Sequence, residues 1–259
     1  MAVATRTISS LSATLTQTQL STALQAAFAS AGFSSAFDSY SIGTDLFLVY
    51  AFVSDVLKTY GTTYLRLRIS NTFIISQQIY ATWSVSSRPG TGNSVEVSYS
   101  ALLNTSNVMF VSLNGTTESR LVMITQGATF IPLGLIVPAT MRASWNLNSH
   151  TNGYIFTTNT MVTLRSSALN QFTSNDNDIA LVGNTRLGTA NTTDNERDLL
   201  TGLVLLNQGN TGFAGKTSDD IGIGSFNGST RYDIITKSGT SQQYLVLLPG
   251  SGGVAIRIV

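Results

Sequence analysis

The stretch Tyr64–Ser70, YLRLRIS, decides the fold class. In an extended chain successive side chains point to opposite faces. Leu65, Leu67 and Ile69 therefore share one face, and Tyr64, Arg66 and Arg68 share the other. That alternation marks a strand with one face toward a core. The pattern continues downstream. In IYATWSV (79–85), Ile79, Ala81, Trp83 and Val85 are expected to point inward. SSRPGTGNS (86–94) follows, where Pro89 and Gly90 start a reversal and Gly92-Asn93 supply positive φ. VEVSYS (95–100) then returns as a strand. NVMFVSL, NGTTES and RLVMIT (107–125) repeat the design, with Asn114-Gly115 at the bend. Such hairpins imply antiparallel pairing, since parallel strands need long crossovers. The expected fold is mainly β: an antiparallel sandwich or barrel-like sheets with one N-terminal amphipathic helix.

That helix is read from TQTQLSTALQAAFASAGF (16–33). Leu20, Leu24, Ala27, Phe28 and Ala31 recur with a period near 3.6. Thr16 or Thr18 can cap its start, and Gly32 is a natural stop. Its outward face is Ser, Thr and Gln, and is expected to touch a neighbour or the β-core. A weaker helical turn is open at SDVLKTYG (54–61), with strand or loop as alternatives. GATFIPLGLIVPATM (127–141) resists regular structure, because Pro132 and Pro138 each remove a ladder donor. We read it as an edge strand or an extended buried crossing. NGYIFTTNTMVTLRSS (152–167) returns to strand. A composition shift at 167–198, rich in Asn and Thr, places a boundary near residue 170. The expected parts are 1–35 (strand and helix), 36–170 (antiparallel β domain) and 171–259 (smaller β domain).

Composition narrows the function. Of 259 residues, 42% are hydrophobic and only 10% are charged, where ~25% charged is ordinary. Hydroxyls and amides must coat the surface in place of charge. Net charge is +1, and the three lysines (Lys58, Lys216, Lys237) are scattered among the arginines. No basic stripe is present to hold a phosphate backbone, so nucleic acid is not an expected partner. There are no cysteines, which removes disulfides, thiolate metal sites and Cys nucleophiles. LFLVYAFV (46–53) and IPLGLIVP (131–138) are too short to span a bilayer, and no export signal is visible at the start.

Candidate chemistry is sparse. His150 is the only histidine, and no GxSxG elbow accompanies it. It reads as a surface histidine in a polar turn. Carboxylate pairs that could hydrolyse a glycosidic bond are Asp176 with Asp178, Asp194 with Glu196 and Asp198, and Asp219 with Asp220. All lie in turn-like sequence, where Asp is favoured for backbone reasons. Asn175–Asp178 clusters oxygen ligands but lacks the EF-hand glycine and distal Glu. Gly222, Gly224 and Gly228 lack the spacing of a phosphate loop. No catalytic, cofactor or metal residue is assigned, and no enzyme activity is expected. Tyr64, Tyr80, Tyr99, Tyr154 and Tyr232 alternate with polar residues and are candidates to stack on sugar rings.

The chain closes on QYLVLLPGSGGVAIRIV (243–259). Gly250, Gly252 and Gly253 are read as a bend before a final strand. Val254, Ile256 and Ile258 share one face of that strand; Ala255, Arg257 and Val259 share the other. Both faces are mostly apolar, which marks a strand covered on two sides by sheet closure or by a neighbouring subunit. The Cys-free, Lys-poor, Ser/Thr/Asn/Gly-rich composition, the helix TQLSTALQAAFASAGF (18–33) and this C-terminal stretch together resemble a bacteriophage virion structural protein, of the tail-fibre, baseplate or head-decoration kind. The resemblance is one of overall style. It implies a component of the particle, made in the host cytoplasm and without membrane insertion. It implies a homo-oligomer, a trimer in fibres, docked on other virion proteins and contacting host-surface glycans. Leu245, Leu247, Val254, Ile256, Ile258, Leu20, Leu24 and Phe28 are the expected interface residues. A carbohydrate-binding or polysaccharide-degrading β protein and a capsid decoration protein are the alternatives.

Overall fold

The computed structural model describes residues 3–52, 62–91, 96–115, 118–136, 138–141, 154–156, 161–163, 196–202, 204–206 and 213–259. Over these residues the chain is mainly β, with one helix and several antiparallel sheets in a sandwich- or barrel-like arrangement. No described helix is long and apolar enough to cross a membrane. Two compact units are present. One holds residues 6–137 and 146–172; the other holds 1–5, 138–145 and 173–259.

The first unit contains β1 (Thr5–Leu11), α1 (Gln17–Ser30), β2 (Asp38–Ile42), β3 (Asp45–Phe52), β4 (Thr63–Ile69), β5 (Ile75–Tyr80), β6 (Val97–Ser98), β7 (Val108–Asn114), β8 (Ser119–Gln126) and β9 (Thr129–Ile136). After β10 (Pro138–Met141), a strand of the other unit, come β11 (Tyr154–Phe156) and β12 (Met161–Thr163). One sheet runs β1-β7-β8-β9-β11-β12 and a second runs β2-β3-β4-β5-β6. A single core joins them. Leu48, Tyr50 and Phe52 of β3, Leu65, Leu67 and Ile69 of β4, and Val122 and Ile124 of β8 all enter it.

α1 forms because its ends are satisfied locally. The Thr16 hydroxyl accepts from the Gln19 amide at 3.2 Å, and the Gln19 side chain accepts from the Thr16 N–H at 3.0 Å, a reciprocal capping box. The chain turns at Gly32, as expected. The apolar stripe Leu20, Leu24 and Phe28 is fully buried in the shared core. The Ser112 hydroxyl of β7 donates to Ala27 O at 2.8 Å, and Gln17 Nε2 donates to Thr44 O and Ile69 O, both at 2.8 Å. The helix is thus packed into the core of the larger unit.

Two strand readings need correction. β5 ends at Tyr80, and residues 81–91 form a loop closed by the Ala81 N–H to Thr91 O bond at 3.2 Å and the Thr82 to Thr91 hydroxyl contact at 2.6 Å. Val85 is accordingly exposed instead of inward. Second, residues 129–136 form a regular strand, paired residue for residue with β8. Pro132 is tolerated for a geometric reason. Its carbonyl accepts from the Tyr99 hydroxyl and Gln77 Nε2, both at 2.8 Å, so this residue's polar edge faces away from β8. β8 therefore loses no donor. Gly134 N–H donates to Gln77 Oε1 at 3.2 Å on the same edge. The Gln77 amide thus acts as a surrogate peptide along β9. Residues 54–61, where a helical turn was open, lie outside the described residues.

The second unit holds β10, β13 (Glu196–Arg197), β14 (Leu200–Thr201), β15 (Val204–Leu206), β16 (Phe213–Thr217), β17 (Ile221–Phe226), β18 (Ile234–Lys237), β19 (Gln243–Leu248) and β20 (Gly250–Arg257). Its sheets run β13-β18-β19-β20-β17-β14 and β10-β16-β15. The reversal after β19 falls at Pro249-Gly250, while Gly252 and Gly253 lie inside β20, where the pairing with β17 shifts register between Gly250 and Gly253. Gly253 has a packing reason: a Cβ there would sit 2.1 Å from the Phe226 ring. Leu199, Phe226, Ile235, Tyr244, Val246 and Ala255 form one core cluster of this unit.

Candidate functional site

The outer face of the β2-β3-β4-β5-β6 sheet carries the densest chemistry among the described residues. Alternation dictates it: the residues between the core leucines are Tyr64, Arg66 and Arg68. β3 adds Asp45, Phe47 and Val49 to that face, β2 adds Asp38 and Tyr40, and β5 adds Gln78 and Tyr80, as the strand register requires.

These groups are held by one another. Arg88, carried by the closed loop 81–91, donates from Nε to Asp38 Oδ2 at 2.6 Å and from Nη2 to Oδ1. The Trp83 indole N–H donates to the same Oδ2 at 3.0 Å. Burial pushes the Asp38 carboxyl up, but Arg88 and Trp83 outweigh it and hold the group below the ordinary carboxylate value. The Arg88 guanidinium also covers the Tyr40 ring at 4.5 Å, and Tyr40 stacks on Phe47 at 4.8 Å with 4° between planes. Arg66 lies 5.3 Å from Phe47 and 5.4 Å from Tyr80. It donates to Gln78 Oε1 at 2.6 Å and to Glu96. Arg68 completes the row, bonding Asp45 Oδ2 at 2.7 Å and Glu96 Oε1 at 3.2 Å. The Tyr80 hydroxyl donates to Gln78 Oε1 at 2.6 Å, and desolvation pushes its pKa up to about 12. Trp83 meets Tyr80 edge-on at 5.0 Å.

The result is a ladder of stacked rings, arginines and carboxylates. An ionised carboxylate clamped by an arginine is a poor proton shuttle. The same arrangement orders the sheet face and fixes the loop above it. At its rim the Phe37 ring, 49% exposed, leans on Tyr64 at 5.4 Å.

The residues singled out in the sequence fall elsewhere. Leu20, Leu24, Phe28, Leu245, Leu247, Val254 and Ile256 are buried within the single chain, and Ile258 is partly so. β20 is flanked by β19 and β17 of its own sheet. For all of these residues but Ile258, burial is already supplied by the chain itself. Asp219 is exposed and Asp220 is buried, accepting from the Ser218 hydroxyl, so the two adjacent carboxyls occupy opposite environments. Glu196 accepts from Ser238 at 3.3 Å, while Asp198 is exposed. Of the five tyrosines, Tyr80 and Tyr99 are buried, Tyr64 and Tyr232 are half-buried, and the side chain of Tyr154 is outside the described set. His150, Asp176, Asp178 and Asp194 also lie outside the described residues. Among the described residues no group of three or more His, Asp or Glu could hold a metal ion.

Asp38 and Arg88 were not foreseen. They stand 50 residues apart and meet only because the loop folds back over β2. The legible signal was the pair of arginines in YLRLRIS, on the face opposite the leucines. No family model matches this chain, and no curated protein and no solved structure shows significant similarity to it.

Proposed function

We propose that this chain is a structural component of a bacteriophage particle, of the tail-fibre or baseplate kind, assembling with copies of itself and with other particle proteins. One observation supports this reading above the rest. The ionic and aromatic groups of the most elaborate face satisfy each other: Asp38 with Arg88 and Trp83, and Arg66 and Arg68 with Glu96, Asp45 and Gln78. A face spent on its own cohesion suits a scaffold. The charge-poor coat of hydroxyls and amides is consistent with surfaces that meet other proteins. The test is the copy number and position of the chain in purified particles, by quantitative mass spectrometry and imaging. A stoichiometric, repeating position is expected; absence from particles would overturn the reading.

A carbohydrate-binding role is the second reading, favoured by the exposed Phe37 ring against Tyr64 at the rim. Phe37→Ala should then abolish binding on a glycan array without lowering the melting temperature. An array with no hits for the unaltered chain would dismiss it.

A further inference from the structure

We propose that β1 is an open pairing edge that joins two copies of this chain, antiparallel and two-fold about Ile8. Sheets invite aggregation at their edges, and proteins guard edges with short strands, prolines and inward charges. Among the described residues every other edge strand here carries such a guard. β6, β13 and β14 are two residues long, and β12 and β15 are three. β10 has four residues and opens on Pro138. β2 has five, with the charged Asp38 buried beneath Arg88 and Trp83.

β1 departs from all of them. It is seven residues long, TRTISSL, with no proline and one charge, Arg6. Six of its residues are exposed on both faces, while the neighbouring β7, β8 and β9 are mostly buried. Leu11, half-buried, packs against the core, and β7 pairs one edge of the strand, which leaves its other edge for a partner. Ile8 is 56% exposed.

The sequence of β1 selects the occupant. Paired antiparallel with itself about Ile8, the strand places Ile8 against Ile8, Thr7 against Ser9, Arg6 against Ser10 and Thr5 against Leu11. Its one charge meets a hydroxyl. In the parallel in-register alternative Arg6 faces Arg6, and like charges directly opposite destabilise a pair. An isologous contact uses each copy's edge once and closes, so it does not run on into a fibre. One strand pair is a small contact beside the ~1,000 Å2 that marks a stable interface, so pairing depends on concentration. The pairing depends on β1 alone: a protein that pairs but is missing from particles keeps the open edge and loses the phage-particle role. A two-fold contact does not build a trimer; it links copies pairwise.

The test is sedimentation velocity of the full chain over rising concentration, with cross-linking. Wild type should pass from monomer to dimer. Ile8→Lys should raise the dissociation constant roughly threefold or more, by placing like charges opposite each other. Thr22→Lys, on the exposed side of α1, should leave it unchanged. The chain has no cysteine, so Ile8→Cys should give a disulfide-linked dimer under mild oxidation. Thr5→Cys should not, because the two copies of residue 5 would lie roughly 20 Å apart. A wild type that stays monomeric throughout would overturn the proposal. So would a dimer indifferent to Ile8→Lys, or cross-linking at residue 5 as ready as at residue 8.

Discussion

On the inner face of the five-stranded sheet Leu65, Leu67 and Ile69 are fully buried, while one residue along the same strand Tyr64, Arg66 and Arg68 are only half so. The inner face coheres by removing apolar area from water, which is non-directional and tolerant of approximate fit. The outer face coheres by directed bonds: a bidentate arginine, stacked rings and shared carboxylates. Such a face depends on every partner being present, since a lone buried charge costs far more than a lost contact. Strand alternation sets which residues face out, whereas loop 81–91 decides whether they are closed over.

The largest effect should come from the inner face. Leu67→Ala should cost about 2–5 kcal/mol in chemical denaturation, because a fully buried side chain leaves a cavity. A cost below about 1 kcal/mol would mean the core collapses there without penalty. Next is the loop. A Cβ at Gly90 would lie 1.8 Å from Thr82 O, so Gly90→Ala must push the loop off its own backbone. We expect a loss of about 1–3 kcal/mol. A red shift of Trp83 fluorescence, read in a Trp145→Phe background, should accompany it. An unshifted spectrum would separate the loop from the closed face.

Acid should then act through Asp38. Its folded pKa is lowered, so its contribution to stability is fully present above the ordinary value of 3.8 and is lost as pH falls below it. Melting temperatures taken from about pH 6 down to about pH 2 should drop in that acid range. Asp38→Asn should flatten that part of the curve; an unchanged slope would place the acid sensitivity elsewhere. The smallest effect sharpens the account of the inner face. Tyr50 is buried and stacks on Phe28 at 4.6 Å, yet its hydroxyl has no partner among the described residues. Tyr50→Phe should be neutral or stabilising by up to about 1 kcal/mol. A clear loss would reveal a partner for that hydroxyl.

Much of this architecture is legible in short windows. YLRLRIS places its six side chains correctly, and the helix is marked by its threonine cap, its 3.6 period and its glycine stop. Those features are local, and local physics decides them. Val85 was misplaced because alternation carries no mark of where a strand gives way to a loop; Trp83 is buried as read, but against Tyr80 and Asp38 on the outer face. Pro132 argued against a regular strand because its tolerance depends on which edge faces a partner, a property of the sheet and not of the residue. In the C-terminal strand Val254, Ala255 and Ile256 are buried on both faces by the same chain, while Val259 at its end is exposed. The outer-face ladder was only half visible. Arg66 and Arg68 announce a polar face; nothing near Asp38 announces Arg88, fifty residues later.

The claim that the outer face is closed by its own partners can be measured at one atom group. The Asp38 carboxyl should be titrated by NMR in the wild type and in Arg88→Gln. With Arg88 present the carboxyl should titrate below the ordinary aspartate value of 3.8. Without Arg88 the bond and charge that help lower it are lost while burial still raises it, so the titration should move upward. An unshifted titration at the ordinary value in both proteins would show an open, solvated surface and contradict the account.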